Sequence, residues 1–393
     1  MLKNLAARGT DAPWYQGRDL RDDQRAVFRA TTIASQAAKR LAVQGICVES
    51  KHPINAPALD VLGLMPSLPS NGLKALSLFS GGGGMDIGFD RAGYAHVANY
   101  EIMEGAAAVL RAAHPDWTVY GGDEGDVRNV RWSQYRGKVD VLHGGPPCQP
   151  FSTAGRQKGS TDVRDMIPQL VKAVKAVKPQ AFVCENVSGL AAKRFKEYVQ
   201  ETIYDPLEKT YKIFQFELNA ADFGVPQRRR RVFFVGFASD QAAARFEIPG
   251  PTHFQEQPAP GSNLPQTMGV RQALGLPDIG FDGLAPTIRS GLTGPRHTTS
   301  ILSSVSALKT WNKLGVWPNG VGADRQAASA YVVQNGDFRL SLPDCLVIQG
   351  FPSDWPVKKP VYFALGLIGN SVAPPMAYNL AKAVSAALSP AIP

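Results

Sequence analysis

The stretch VDVLHGGPPCQPFS, residues 139–152, ends an apolar run with two glycines and then sets Cys148 among Pro146, Pro147 and Pro150. Proline fixes its own φ and restricts the residue before it, so this loop is stiff. Gly144 and Gly145 leave space beside the thiol. A thiolate is the most nucleophilic common side chain, and covalent catalysis needs it held in one place. Cys184 and Cys345 read instead as inert buried thiols. None of the four cysteines forms a C-x-x-C pair, so the pattern predicts a nucleophile without a zinc knuckle, a disulfide framework or any other metal site.

A nucleophile needs companions that handle protons and offset charge. The segment CENV brings Glu185 to the end of an apolar run, and GVPQRRRRV leads a row of arginines into another. A carboxyl group in a cleft can hold or supply a proton, and a guanidinium held against a sheet recognises a carbonyl or an anion. Upstream, LSLFSGGGGMDIGF sets Gly81 to Gly84 where a strand turns into a helix, so a ligand can approach the backbone. The dinucleotide pattern G-x-G-x-x-G fails, because Asp86 stands three residues after Gly83 and Ile87 three after Gly84. That counts against NAD. Glu101 ends the next strand, where it suits two ribose hydroxyls, and Asp126 follows a third short segment, where it suits an adenine amino group. Their order points to an adenosine-containing ligand without a pyrophosphate.

The elements that must position these groups are short β-rich runs, KALSLF, HVANYE, VDVLHGG, QAFVCENV, IFQFEL and RRVFFVGF, alternating with helical segments such as EGAAAVLRAAH and MIPQLVKAVKAVK. Alternation predicts an α/β domain with a largely parallel sheet and ligands beyond the carboxyl ends of its strands. The last two runs are close enough to form an antiparallel pair at one edge. From about Gly250 the texture turns to Pro, Gly, Ser and Thr, and a helix, PPMAYNLAKAVSAAL, follows near the end. Near the start, Ala26, Ala30, Ile33, Ala34, Ala37 and Leu41 form one face of a helix expected to dock on the main domain, and residues 53–72 read as a linker. The expected divisions are 1–72, a helical N-terminal extension and linker; 73–250, catalytic; 251–335, target recognition; and 336–393, returning to the catalytic domain.

The formal net charge of +9 suits a polyanion, and no apolar run is long enough to cross a bilayer. A cytoplasmic protein is expected.

The motifs FSGGGGMDIGF, GGPPCQPFS, ENV, FGVPQRRRRV, RLSLPDCLVIQGFP and IGNSVAPP occur in the order found in the DNA cytosine-5 methyltransferases, and the chain resembles that family over residues 74–388. The resemblance implies a Rossmann-like S-adenosylmethionine-dependent methyltransferase domain with a smaller, loop-rich target-recognition domain. It implies cofactor contacts from Phe79, Gly81, Gly83, Glu101, Asp126, Val127, Ile167 and Asn370. Cys148 would attack carbon 6 of a flipped-out cytosine, Glu185 would act on the ring nitrogen, Arg229 would bind the base carbonyl and Arg231 would order the site. Double-stranded DNA is the implied partner, bound by a monomer, with Gln227, Arg289, Arg296 and His297 as candidates to contact it. A restriction endonuclease for the same sequence is a further implied companion, in restriction-modification, with epigenetic marking as the other setting.

Two departures stand out: four consecutive glycines where three with a variable position are usual, and Arg230 where glutamate is frequent. Two alternatives remain at this level. Relatives that methylate a transfer RNA carry a Cys-Phe-Thr segment that this chain lacks, and a catalytically dead scaffold would not be expected to keep Cys148, Glu185, Arg229 and Arg231 together.

Overall fold

The computed structural model describes residues 53–147, 165–257, 261–289, 298–330, 337–357 and 360–389, with Ala26, Ala30, Ile33 and Ala37 of a helix near the start. Two compact units divide them. One takes Val61–Val225, Arg229–Thr267 and the segment from Ser371; the other takes the residues up to Asp60, Pro226–Arg228 and Met268–Asn370.

The larger unit is built on seven strands: β1 (Lys74–Leu78), β2 (Ala95–Glu101), β3 (Val119–Gly121), β4 (Val141–Gly144), β5 (Ala181–Val187), β6 (Lys212–Asn219) and β7 (Arg230–Phe237). Their order is β3-β2-β1-β4-β5-β7-β6, parallel except where β7 runs antiparallel to both β5 and β6. The expected antiparallel edge pair is therefore β6 with β7. Helices α1 (Gly84–Arg91), α2 (Glu104–Ala113) and α3 (Ile167–Val177) provide the crossovers. Residues 119–121, absent from the expected strands, form the edge strand β3 because Asn99, Tyr100 and Glu101 offer it a free side.

β1 reads as a buried run because both of its sides are paired and both faces covered: four of its five residues are buried. In α3, Ile167, Leu170, Val171, Val174 and Val177 recur at helical spacing and are buried, while the lysines between them face out. Each such side chain contributes about 1.5–3 kcal/mol on burial. Lys178 ends the helix in a left-handed conformation, φ 54°. The core they join runs from Leu76 and Leu142 through Phe182 to Phe234.

The chain order reverses direction between β1 and β4, with β2 and β3 laid to one side and β5 to the other. In open α/β sheets such a switch point is where ligands bind, beyond the carboxyl ends of the strands. The stretch expected as a linker is anchored in each unit: Asn55 donates to Leu274 O and to Asp344 Oδ1, both at 3.0 Å, and Met65 is wholly buried. In the smaller unit, β8 (Val316–Gly322) and β9 (Phe338–Ser341) pair in parallel. The helix face expected to dock is exposed at Ala26, Ala30, Ile33 and Ala37. Three of these are alanines, whose burial yields little.

The C-terminal helix of the larger unit, Pro374–Leu388, packs on α1 so closely that a Cβ on Gly88 would lie 2.7 Å from both Ala377 Cβ and the Tyr378 backbone nitrogen. Backbone cannot swing aside as a flexible side chain can. Gly88→Ala should lower stability by about 1–3 kcal/mol, the usual range for overpacking, despite alanine's better helix propensity. Urea unfolding monitored by circular dichroism measures the change.

Candidate active site

β5 and β7 pair with Glu185 opposite Phe233 and Val187 opposite Arg231. Residues two apart on a strand share a face, so this register sets Arg231 diagonally beside Glu185. Arg231 Nε lies 2.9 Å from Glu185 Oε1, and Arg231 Nη1 donates to Arg230 O at 2.7 Å. Nη2 makes no hydrogen bond among the described residues. Burial raises the Glu185 carboxyl above its ordinary range, opposed first by Arg231 and then by Arg229, and the net direction is upward. It is a carboxyl poised to exchange a proton while still drawn toward a cation.

Gly145 leaves room beside it, since a Cβ there would fall 2.7 Å from Glu185 Oε2 and displace the carboxylate. The next residue, Pro146, accepts a hydrogen bond at 3.2 Å from Nδ2 of Asn186, a side chain only 1% exposed. Thus consecutive residues of β5 serve two purposes: Glu185 pairs with Arg231 and Asn186 holds the proline loop. Asn186 was not singled out from sequence, although it stands in the same ENV segment. Cys148, the next residue but one after Pro146, lies outside the described residues, as do Arg296 and His297.

Arg229 precedes β7, has no accessible surface, and donates from Nη2 to Ser371 O at 2.7 Å; its backbone N–H donates to Asn219 Oδ1 at 3.0 Å. Gln227 belongs to the smaller unit and is equally buried. Both hydrogens of its amide are engaged, by Ile348 O at 3.1 Å and Gln349 Oε1 at 2.8 Å, while its Oε1 accepts from the Ile288 N–H at 3.1 Å. These three bonds hold the Gln227 side chain within the protein. Arg289, in the same unit, is half-buried and its backbone N–H donates to Ile301 O at 3.2 Å.

At the β1 end, Phe79 adopts φ 58° and Gly81 φ 55°. A bulky residue in the left-handed region costs about 1–3 kcal/mol and persists where the surroundings enforce it. Glu101, ending β2, accepts from the Gly81 N–H at 2.7 Å through Oε2 and from the Met103 N–H at 2.8 Å through Oε1. The carboxylate thereby ties the glycine turn to the neighbouring strand and keeps lone pairs on both oxygens. Burial raises its pKa, and those two backbone bonds lower it. Gly83 begins α1 in a left-handed conformation at φ 86°.

Asp126 is paired with Arg128, Nη2 to Oδ2 at 2.6 Å, and the hydrogen bonds from that side chain hold its carboxyl below the usual range. Val127 is buried, and its backbone N–H donates to no backbone carbonyl among the described residues. An acceptor and a donor thus stand on adjacent residues. Ile167 has no accessible surface and can only back a pocket wall from behind. Asn370 ends the helix Val361–Asn370 of the smaller unit and is exposed. The larger unit therefore contains Phe79, Gly81, Gly83, Glu101, Asp126, Val127, Ile167, Glu185, Arg229 and Arg231, while Gln227, Arg289 and Asn370 belong to the smaller.

Residues 73–386 match the family model described as C-5 cytosine-specific DNA methylase. The chain belongs to that family. It is a DNA cytosine-5 methyltransferase, and its basic charge suits its DNA substrate. Among the relatives of this methyltransferase, the Type II methyltransferase M.NgoMIV of Neisseria gonorrhoeae is 33% identical over 325 residues, covering 80% of this chain and 97% of the relative. The Type II methyltransferase M.NaeI of Lentzea aerocolonigenes is 32% identical over 322 residues, covering 81% and 76%. The fold resembles that of the Entamoeba histolytica methyltransferase EhMeth, TM-score 0.54 at 15% identity, covering 81% of this chain and 99% of that one. A DNMT2 variant of Spodoptera frugiperda gives 0.53 at 17% identity, covering 79% and 99%.

In this methyltransferase the Glu185 carboxyl lies between desolvation, which favours the protonated form, and Arg231, which favours the charged one. Arg231→Gln removes the opposing cation, so the midpoint of Glu185 should rise further. Carboxyl-observed 13C NMR titration of glutamate-labelled protein reads that shift; an unmoved midpoint would show that the pair does not set the charge.

Proposed function

We propose that the enzyme transfers a methyl group from S-adenosylmethionine to carbon 5 of a cytosine flipped out of double-stranded DNA, through a covalent adduct of Cys148. The observation that carries this reading is the buried Glu185 carboxyl, paired with Arg231 and given room by Gly145, beside the proline loop that leads into Cys148. Carbon 5 of cytosine is too weak a nucleophile to take a methyl group unaided. Attack by the Cys148 thiolate forms a bond to carbon 6 and moves electron density onto carbon 5. Glu185, raised by burial, hydrogen-bonds or protonates the ring nitrogen and offsets the charge developing there.

When bound, S-adenosylmethionine would supply an electrophilic methyl group on its sulfonium, with the neutral thioether as leaving group. Loss of the proton from carbon 5 and of the thiolate from carbon 6 then restores the ring. The base must leave the stack to react, at a cost of a few kcal/mol.

Arg231, whose Nη2 makes no hydrogen bond among the described residues, suits the base carbonyl. Arg229, wholly buried on Ser371 O, suits the ordering role. This exchanges the roles expected from sequence. For the cofactor, Glu101 has lone pairs for the ribose hydroxyls, Asp126 accepts from the adenine amino group, and the Val127 N–H donates to an adenine ring nitrogen. The turn at Phe79, Gly81 and Gly83 borders the same pocket.

Residues 251–335 are the region assigned to target recognition, with Arg289, Arg296 and His297 as DNA contacts; Gln227 is assigned to structure. Relatives named as Type II methyltransferases support a place in restriction-modification. To this we add, as our own assignment, an endonuclease of the same specificity and a cytoplasmic monomer working on the nucleoid.

Expression in a methylation-free host followed by bisulfite sequencing should reveal 5-methylcytosine in one sequence context. The purified enzyme should form a denaturation-resistant adduct with DNA carrying 5-fluorocytosine at that position. Cys148→Ser should lose both outcomes while still binding S-adenosylmethionine; turnover by that variant would exclude the covalent route.

Glu101→Ala should weaken S-adenosylmethionine binding by about 1.5–3 kcal/mol, the range for hydrogen bonds to a charged group. Calorimetry that finds equal affinity would remove Glu101 from the pocket.

A further inference from the structure

A second constellation of ionisable side chains lies in the larger unit, and the proposed methyl transfer uses none of it. Ser77 of β1 pairs with Asn99 of β2 on one side and with His143 of β4 on the other, so these three share a row across the middle of the sheet. Asp86 of α1 meets that row, its Oδ1 accepting from Asn99 Nδ2 at 2.6 Å. His96 would ordinarily point away, since residues three apart on a strand face opposite sides. β2 is irregular here: Ala75 pairs with His96 but Leu76 pairs with Ala98, so Val97 is skipped. The extra residue turns His96 to the same side as Asn99, with its Nδ1 3.5 Å from Asn99 Nδ2.

One ligand atom each from Asp86, His96 and His143 lies within 4.8 Å of the others. Asp86 and His143 have no accessible surface, and His96 is half-buried. Asp86 Oδ2, His96 Nε2, both ring nitrogens of His143 and Asn99 Oδ1 are buried without a hydrogen-bond partner among the described residues. A buried polar atom left unsatisfied costs about 1–3 kcal/mol. Five in one cluster call for an occupant that satisfies several together. Among the described residues no lysine or arginine forms an ion pair with Asp86.

The rings are fixed from outside the cluster. Phe89 stacks on His143 with centroids 4.2 Å apart, and Trp117 stacks on His96 at 4.0 Å. Burial lowers the pKa of both histidines, which favours the neutral imidazole that ligates metals. Two imidazoles with a carboxylate match a borderline transition ion better than calcium or magnesium, which prefer all-oxygen shells.

We propose that Asp86, His96 and His143 bind one divalent first-row transition ion, zinc foremost, with water as the fourth ligand. Tetrahedral zinc with bonds of about 2.0–2.1 Å needs its ligand atoms roughly 3.3 Å apart, so the cluster contracts modestly on binding. The site is structural: Asp86 and His143 have no accessible surface, and the half-buried His96 gives the ion a way in. Asp86 stands in the first turn of α1, so the ion joins the helix that follows the glycine turn to β2 and β4.

The test uses untagged full-length protein carrying Cys148→Ser, so that the loop thiol cannot compete, stripped with chelator and titrated with Co2+. One equivalent should bind with visible d–d absorption, without a sulfur-to-cobalt charge-transfer band, and be displaced by Zn2+, which should also raise the melting temperature. Asp86→Asn and His143→Leu should each weaken cobalt binding tenfold or more. X-ray absorption of the zinc-loaded parent should show imidazole and oxygen but no sulfur scattering, a readout that does not depend on how the variants fold. No cobalt uptake by folded parent, sulfur ligation, or unchanged affinity in both variants would overturn the site and leave buried water as the occupant.

Discussion

A carboxyl group taken out of water is tolerated only if a nearby charge or proton compensates it, and Glu185 meets that constraint through a register. β5 is parallel to β4 on one side and antiparallel to β7 on the other. The parallel side delivers the loop that contains Gly145 and Pro146, and the antiparallel side delivers Arg231. A sheet that was parallel throughout would not bring the start of β7 to the end of β5. The reversal of one strand is therefore what allows a carboxyl, a guanidinium and a proline loop to meet.

The same logic of divided labour recurs at Glu101. Its two oxygens hold the Gly81 and Met103 amides and so shape the turn, yet each retains the capacity for another hydrogen bond. Neighbouring side chains on one strand can then be specialised, as Glu185 and Asn186 are. This economy depends on strand periodicity, which sends consecutive residues to opposite faces.

That periodicity also explains what was legible in sequence. The glycine turn, the acids that follow successive strands and the antiparallel edge pair all rest on local composition and spacing, and the structure places each where that spacing predicts; Cys148 lies outside the described residues. Gln227 and Arg229 were harder, because a polar side chain on a loop gives no sign of whether its partners are protein or nucleic acid. Both are wholly buried. The cluster of Asp86, His96 and His143 was invisible for another reason. Its members come from three separate elements, and a skipped residue at Val97 decides which way His96 faces. No spacing rule encodes a bulge.

The strand order also has a consequence for how the chain is made. β6 and β7 are neighbours in sequence and in the sheet, so they can zip together as soon as both are synthesised, whereas β1 must wait for β4 and β5 must wait for β7. Domains assemble during translation in the order in which their partners emerge. Until the ribosome has released residues 230–237, Glu185 has no Arg231 to face and its end of β5 is an open edge. Closure of the sheet by β7 and formation of the Glu185–Arg231 ion pair are therefore one and the same event.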